Sequence, residues 1–279
     1  MKKLVTFALS LSLALSLTAC GGGDAAPSEA PETTAPAAES ATAETPAAEA
    51  VELHVYAAAS LTESMNQIAE NYKTVAPNVK LTFNFDSSGT LKTQIEEGGD
   101  CDLFLSAAQK QMNGLAEGGY IDENTRVDLL ENKVTLAVPQ GNPAGVASFE
   151  DVNTDKVKMI ALGNSDVPVG QYSQELFTAM GVWDAIQDKI TFGSNVKEVT
   201  TWVGESTVDC GVVYATDAFS AGLEVVAEAD PALLTNQVIY PAAVLAASAH
   251  KDEAQAFLDY LKTDESVAVF EGVGFAVAR

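Results

Sequence analysis

Serine side chains stand at two places where a strand-like segment gives way to a helix-like one. Ser60 follows the alternating residues 51–55, and Ser87 and Ser88 follow the alternating residues 79–85. A helix N-terminus offers unpaired N–H groups and partial positive charge, to which a serine adds a hydroxyl donor. This pattern suits an oxyanion. The alternative interpretation is that Ser60 and Ser88 only cap their helices, and Ser60 with Glu63 has the spacing of a capping box.

The elements that position these serines alternate between strand and helix periodicity from residue 51 onward. The spacing of apolar residues predicts one helix over 61–75, and the carboxyl ends of neighbouring parallel strands form the usual ligand crevice of an open sheet. The sequence therefore predicts an α/β fold with mainly parallel sheets and right-handed crossovers. Further strands are predicted over 102–105, 134–138, 157–162, 208–214 and 238–246, and further helices over 91–97, 109–117, 171–180, 198–203 and 253–261.

The first 50 residues have the composition of a processing signal and a tether. Two lysines precede an apolar run over 4–17, and Leu17-Thr18-Ala19-Cys20 followed by glycines has the form of a lipobox. We predict a signal peptide over 1–19, acylation of Cys20 and attachment to the extracytoplasmic face of the cell membrane. The alternative is an ordinary signal peptide that contains a cysteine. Residues 20–50 are rich in Ala, Pro, Glu and Thr, which predicts a disordered linker, or alternatively a glycosylated stalk.

The charge and cysteine content exclude several partners. The formal net charge is −24, which argues against nucleic acid or an anionic membrane surface as a partner, since both require a basic footprint. Cys101 and Cys210 follow an export signal, so a disulfide is possible, but their positions at the start of strands in different parts of the chain favour two buried thiols. The chain has no Cys-x-x-Cys pair or His-rich tract, so we predict neither a bare metal ion nor a cofactor.

Several segments together carry a resemblance to a known family. They are "VYAAASLTESMNQIA", "FNFDSSGTLKTQIEEGGDCDLFLSA", "DVPVGQYSQELF", "NVKEV", "CGVVYATDA" and "IYPAAVLAASAHKDEAQAFLDYLK". Each segment alone is weak, but their order and spacing resemble the periplasmic molybdate-binding protein family of ABC importers. The resemblance covers nearly the whole chain from Val51 to the C-terminus.

The resemblance implies a two-lobed fold with a ligand cleft between the lobes. The first lobe would comprise 51–132 and 242–279, and the second 133–241. It further implies a monomeric, non-catalytic protein that holds molybdate or tungstate and delivers it to a membrane permease. The family's binding positions map onto the hydroxyl and N–H groups of Ser60 and Ser88, the N–H groups of Val169 and Val196, and the hydroxyl of Tyr214. Val169 departs from the family pattern, where a smaller Ala is common, but a backbone donor tolerates the change.

Other ligands and a catalytic role remain as alternatives. Neutral donors suit a fully ionised dianion, whereas a protonated phosphate would leave one proton facing a donor. The same module could instead bind sulfate, phosphate or a small organic anion. A secreted serine hydrolase would use Ser60 or Ser88 together with His54 or His250. Lys92 and Lys197 are expected on solvated helix faces near the site.

Overall fold

The computed structural model describes residues 49–278. The predicted signal peptide, Cys20 and all but the end of the predicted linker lie outside these residues. The strands are β1 (Val51–Ala58), β2 (Val79–Asp86), β3 (Leu103–Leu105), β4 (Val127–Asn132), β5 (Val134–Val138), β6 (Ile160–Gly163), β7 (Ile190–Gly193), β8 (Cys210–Tyr214), β9 (Glu224–Glu228), β10 (Val238–Val244) and β11 (Ala276–Val277). The helices are α1 (Thr62–Val75), α2 (Ser88–Glu96), α3 (Gln109–Glu117), α4 (Pro168–Ala179), α5 (Val196–Gly204), α6 (Ala215–Ser220), α7 (Lys251–Tyr260) and α8 (Asp264–Gly272).

The strands form two sheets, one in each lobe. The first sheet has six strands in the order β11-β4-β10-β3-β1-β2, and the second has five in the order β7-β6-β8-β5-β9. Helices flank both sheets because each helix buries one apolar face. In α1, for example, Met65, Ile68 and Tyr72 are buried. The predicted two-lobed α/β architecture is confirmed.

Both sheets are mixed rather than mainly parallel. Strand β1 pairs in parallel with β2 and β3, but β10 runs antiparallel to both β3 and β4. The reason is the path of the chain: β4 leads out of the first lobe and β10 leads back into it, so these neighbours run in opposite directions. In the second sheet β5 is likewise antiparallel to β8 and β9.

The chain crosses between the lobes twice. It leaves the first sheet after Asn132, at the end of β4, and enters the second sheet at Val134. Strand β10 pairs with β4 from Val238 onward, so the return into the first lobe precedes Val238, whereas the sequence placed it near 242. Four residues of β10 thus belong to the first lobe and not to the second.

The two cysteines of the described residues agree with a sequence expectation. Cys101 and Cys210 are free thiols, both buried, and burial raises the pKa of each. The favoured prediction of two separate buried thiols is therefore confirmed within the described part of the chain. In residues 49–278, no helix combines the length and the apolar character needed to span a bilayer.

Candidate anion-binding site

A small cavity lies where the carboxyl ends of the first-lobe strands meet the helix N-termini of the second lobe. Its walls come from both lobes: Ala58, Ala59, Ser60, Asp86, Ser87, Ser88, Ala107, Val167, Pro168, Val196 and Tyr214. Four of the five predicted site residues are in this set, namely Ser60, Ser88, Val196 and Tyr214. The fifth, Val169, is buried in the first turn of α4, directly behind Pro168, and is outside the set.

Ser60 lies in a short 3-10 turn, Ala59–Leu61, between β1 and α1. The predicted capping box is wrong, because the hydroxyl of Ser60 makes no cap bond and Glu63 turns away to another partner. The Oγ atom of Ser60 instead lies 2.9 Å from the hydroxyl of Tyr240 on β10. A tertiary contact has thus replaced the local one that the spacing predicted, and it holds Ser60 at the cavity.

Ser87 and Ser88 divide the two roles that the sequence left open. Ser87 is the N-cap of α2, since its Oγ accepts from the N–H of Thr90 at 3.1 Å. Ser88 is the first residue of the helix and is fully buried, and its Oγ accepts from the N–H of Ala107 at 2.9 Å. Because that bond uses the oxygen and not the proton, the proton of the Ser88 hydroxyl remains available to the cavity.

The second lobe brings two helix N-termini and one phenol to the same place. Asn195 caps α5 by accepting from the N–H of Glu198 at 3.1 Å, which leaves Val196 in the first turn with an amide that has no partner within the helix. In α4, Pro168 carries no N–H, so the first amide of that helix able to donate belongs to Val169. The hydroxyl of Tyr214, at the end of β8, donates to the carbonyl of Ala107 at 3.1 Å.

Direct contacts between the lobes surround the cavity. The N–H of Gly89 on α2 donates to the carbonyl of Asp166 at 2.9 Å. The ammonium of Lys197 on α5 lies 2.7 Å from the carboxylate of Glu63 on α1. Together with the bond from Tyr214 to Ala107, these contacts hold the two walls against each other.

Lys197 is less solvated than its predicted position on a helix face suggested. Its Nζ also lies 3.2 Å from the carboxylate of Asp217, which is fully buried in α6. Burial raises the pKa of Asp217 to about 6, although Lys197 opposes the shift. Burial also lowers the pKa of Lys197, but Asp217 and Glu63 raise it by more, so the net pKa is above the ordinary value and the ammonium stays charged.

The cavity is lined almost entirely by neutral groups. Among the described residues that form its walls, none is Lys or Arg, and the single carboxylate is that of Asp86. Asp86 was not predicted from the sequence; its Oδ1 accepts from the N–H of Ser87 at 2.7 Å. Burial raises the pKa of Tyr214 well above its ordinary value, so the phenol keeps its proton as a donor at neutral pH.

A wider groove beside α3 and α4 is a weaker candidate for the same ligand. Its wall combines Lys110 with Glu175 and several amide side chains. That wall presents acceptors as well as donors, and a carboxylate opposes an anion. The smaller cavity, in which hydroxyl and amide donors converge from two lobes, is the better anion site.

The sequence of this chain matches a known protein family. The sequence model of the family described as bacterial extracellular solute-binding protein matches residues 53–276. A putative ABC transporter substrate-binding lipoprotein of Bacillus subtilis, YvgL, is 37% identical over 227 residues, which is 81% of this chain and 86% of the relative.

Two further proteins extend the comparison. The molybdate-binding protein ModA of Haemophilus influenzae is 32% identical over 226 residues, covering 80% of this chain and 89% of that protein. A solved substrate-binding domain of a putative molybdenum ABC transporter from Clostridium difficile superimposes with a TM-score of 0.64 at 39% identity, covering 82% of this chain and all of that domain.

Proposed function

We propose, since this chain belongs to the family of bacterial extracellular solute-binding proteins, that its solute is the oxyanion molybdate or tungstate. The observation that carries the proposal is the convergence of Ser60, Ser88, the first turn of α5 and Tyr214 on one cavity between two lobes. The names of the molybdate-binding relatives support the same ligand.

The donors at the cavity suit a tetrahedral dianion. Such an ion only accepts hydrogen bonds, and each proposed ligand offers it a donor: two serine hydroxyls, the amides of Val169 and Val196, and the Tyr214 hydroxyl. Hydrogen bonds to a charged partner contribute about 1.5–3 kcal/mol each. Tyr214 would exchange the carbonyl of Ala107 for an oxygen of the anion, and the amide of Val169 would reach the ion past Pro168.

Delivery to a membrane permease completes the proposed function. The B. subtilis relative is named as a substrate-binding lipoprotein of an ABC transporter, which supports docking on a permease and supports acylation at Cys20. Metabolic labelling with palmitate tests the anchor. The wild-type chain should be labelled and Cys20→Ser should not; equal labelling of both would contradict the proposed anchor.

The alternative of a serine hydrolase finds no support in the described residues. His54 lies 3.5 Å from Asp100, and both His54 and His250 line a groove separate from the cavity of Ser60 and Ser88. The hydroxyls of the two serines instead contact Tyr240 and the N–H of Ala107. In the described part of the chain, neither hydroxyl has a histidine as its hydrogen-bond partner, which the proposed hydrolase would need.

Titration calorimetry of the purified full chain in detergent tests the ligand. We expect molybdate and tungstate to bind with submicromolar Kd, and sulfate and phosphate to bind far more weakly. If sulfate or phosphate binds more tightly than molybdate and tungstate, the protein binds that anion instead, which is the alternative ligand for the same fold. Failure of all four anions to bind would overturn the oxyanion assignment.

A further inference from the structure

Ser60 is the first member of a chain of hydrogen bonds that continues behind the cavity wall. Its Oγ lies 2.9 Å from the hydroxyl of Tyr240, which is almost completely buried. The Nδ2 atom of Asn132, at the end of β4, lies 3.2 Å from that hydroxyl and 2.9 Å from the Oγ1 atom of Thr216. Tyr240 and Asn132 do not line the cavity, and Tyr240 reaches its wall through the hydrogen bond with Ser60 and the packing of its ring against Tyr214.

The backbone fixes the direction of this chain. The Oδ1 atom of Asn132 accepts from the N–H of Lys133 at 2.8 Å, which can only donate. The amide of Asn132 is therefore oriented with its NH₂ group towards Thr216 and Tyr240, and that group can only donate as well. The oxygen of Tyr240 must accept from Asn132, so its proton is directed to Ser60, whose oxygen accepts it.

The hydroxyl proton of Ser60 is then left to point into the cavity. Burial raises the pKa of Tyr240 well above its ordinary value, so the phenol stays protonated and the direction is maintained at neutral pH. The Ser88 hydroxyl also accepts a hydrogen bond from the protein and points its proton to the cavity, but here the donor is a backbone amide, the N–H of Ala107. Both serines are thus held as donors, one by a backbone amide and the other by a relay of two side chains.

Tyr240 lies at an irregularity in the pairing of β10 with β4. The register shifts between Tyr240 and Pro241, because Leu129 of β4 has no partner on β10, as in a β-bulge carried by β4. A bulge of this kind accommodates a proline inside a central strand. The ring of Tyr240 packs edge-on against Tyr214 with centroids 5.7 Å apart. The phenol is therefore held by packing on one side and by the amide of Asn132 on the other.

We infer that Tyr240 and Asn132 are positioning residues that hold Ser60 as a hydrogen-bond donor and so make the site reject oxyanions that carry a proton. A fully ionised anion meets two donors at the serines. Hydrogen phosphate carries a proton of its own. Where that proton faces the proton of a serine hydroxyl, neither has an acceptor, and a hydrogen bond is lost. Without the relay, the Ser60 hydroxyl can rotate and accept the proton of the ligand. This inference rests on the proposed oxyanion function.

Sulfate and phosphate at pH 8 form the most direct test, because both are tetrahedral dianions of similar size and only phosphate carries a proton. Their affinities are measured by competition against bound molybdate, with the full chain in detergent. In Tyr240→Phe we expect the preference for sulfate over phosphate to fall roughly tenfold. The preference for molybdate over sulfate, which depends on size, should change less than about twofold, because no group of the cavity wall is removed.

Asn132→Asp tests the direction of the relay. A carboxylate accepts where the amide donated, so Tyr240 would donate to it, and Ser60 would in turn donate to Tyr240. The Ser60 oxygen would then accept from the ligand. Every anion should bind more weakly beside the added charge, but the ratio of sulfate to phosphate affinity should shift further towards phosphate than in Tyr240→Phe. A residue that only supports the fold would not shift this ratio.

Tyr72→Phe is the matched control. Tyr72 is a buried tyrosine of the same lobe, packed against Phe257 and Tyr260 at 4.9 Å, and it should keep the wild-type ratio. An unchanged ratio of sulfate to phosphate affinity in Tyr240→Phe and Asn132→Asp, with molybdate still bound, would overturn the relay alone. Absence of molybdate and tungstate binding in the wild-type chain would instead overturn the proposed function.

Discussion

Gly89 is the point at which the closed arrangement of the lobes is most sensitive to a single methyl group. A Cβ atom built on Gly89 would lie 2.4 Å from the carbonyl oxygen of Asp166 and 2.8 Å from its Cα atom. Both are backbone atoms, so no flexible side chain can move aside. Ordinary contact begins near 3.4 Å, and the wall of the second lobe must therefore retreat by about 1 Å in Gly89→Ala.

The cost of that retreat follows from the contacts it breaks. The hydrogen bond from Gly89 to Asp166 contributes about 1 kcal/mol, and an added methyl group in a packed contact costs about 1–3 kcal/mol. Together these terms amount to about 2–4 kcal/mol, so we expect the Kd for molybdate to rise roughly 30- to 700-fold in Gly89→Ala, since every 1.4 kcal/mol is tenfold. Calorimetry measures the Kd, and small-angle X-ray scattering of the saturated protein should show a larger radius of gyration than in the wild type.

Gly204→Ala is the control for a methyl group added without a clash. Its Cβ would meet only the Cδ2 atom of Leu223 at 3.6 Å, and Ala is the better helix former at the end of α5. This variant should bind molybdate as the wild type does. A Kd for Gly89→Ala within twofold of the control would show that contact between Gly89 and Asp166 plays no part in ligand capture, and the reasoning would be refuted.

Three further predictions follow from the site. Ser88→Ala and Tyr214→Phe should each weaken molybdate binding by about 1–3 kcal/mol in calorimetry; unchanged affinity in both would mean the site is misplaced. Burial raises the pKa of Asp217 from 3.8 to about 6, so the folded protein binds this proton more tightly than the unfolded chain. The wild type should lose about 2 kcal/mol of unfolding free energy relative to Asp217→Asn as the pH rises from 4 to 7 in urea titrations; parallel pH profiles would contradict this. Removing the carboxylate from the wall in Asp86→Asn should tighten molybdate binding at low salt, and equal or weaker binding would show that Asp86 does not oppose the anion.

The elements predicted best from the sequence are those with strong local periodicity. Strand β5 and helix α3 have the predicted bounds, and β1, β2 and α7 differ only at their ends. Strands β4, β7, β9 and β11 and helices α6 and α8 were missed. The two adjacent leucines of β4 break the alternation that marks a half-buried strand. Helix α6 begins directly after β8 with no loop between them, so no turn residues mark its start.

The candidate site was predictable where its residues act locally and unpredictable where they act across the chain. The two serine turns are visible as strand ends followed by helix starts, but Tyr214 came only from the family resemblance. The partners of Ser60 and Lys197 lie 180 and 134 residues away along the sequence, at Tyr240 and Glu63. No spacing rule of a single chain reports such pairs, because tertiary packing alone brings them together. The capping box failed for the same reason.

The acidity of the chain and its anion site are compatible because the two act over different distances. The formal net charge of −24 opposes an approaching anion at long range, but salt screens exposed charges over about 8–10 Å. Among the described residues, the cavity wall contains no Lys or Arg, and Lys197, next to Val196 of the wall, is paired with Glu63 and Asp217. Helix N-termini and oriented hydroxyls must supply the attraction instead, and these dipoles are strong only at contact distance. The closing of the lobes is therefore what creates the affinity, because only then do donors from both sides reach the same ion.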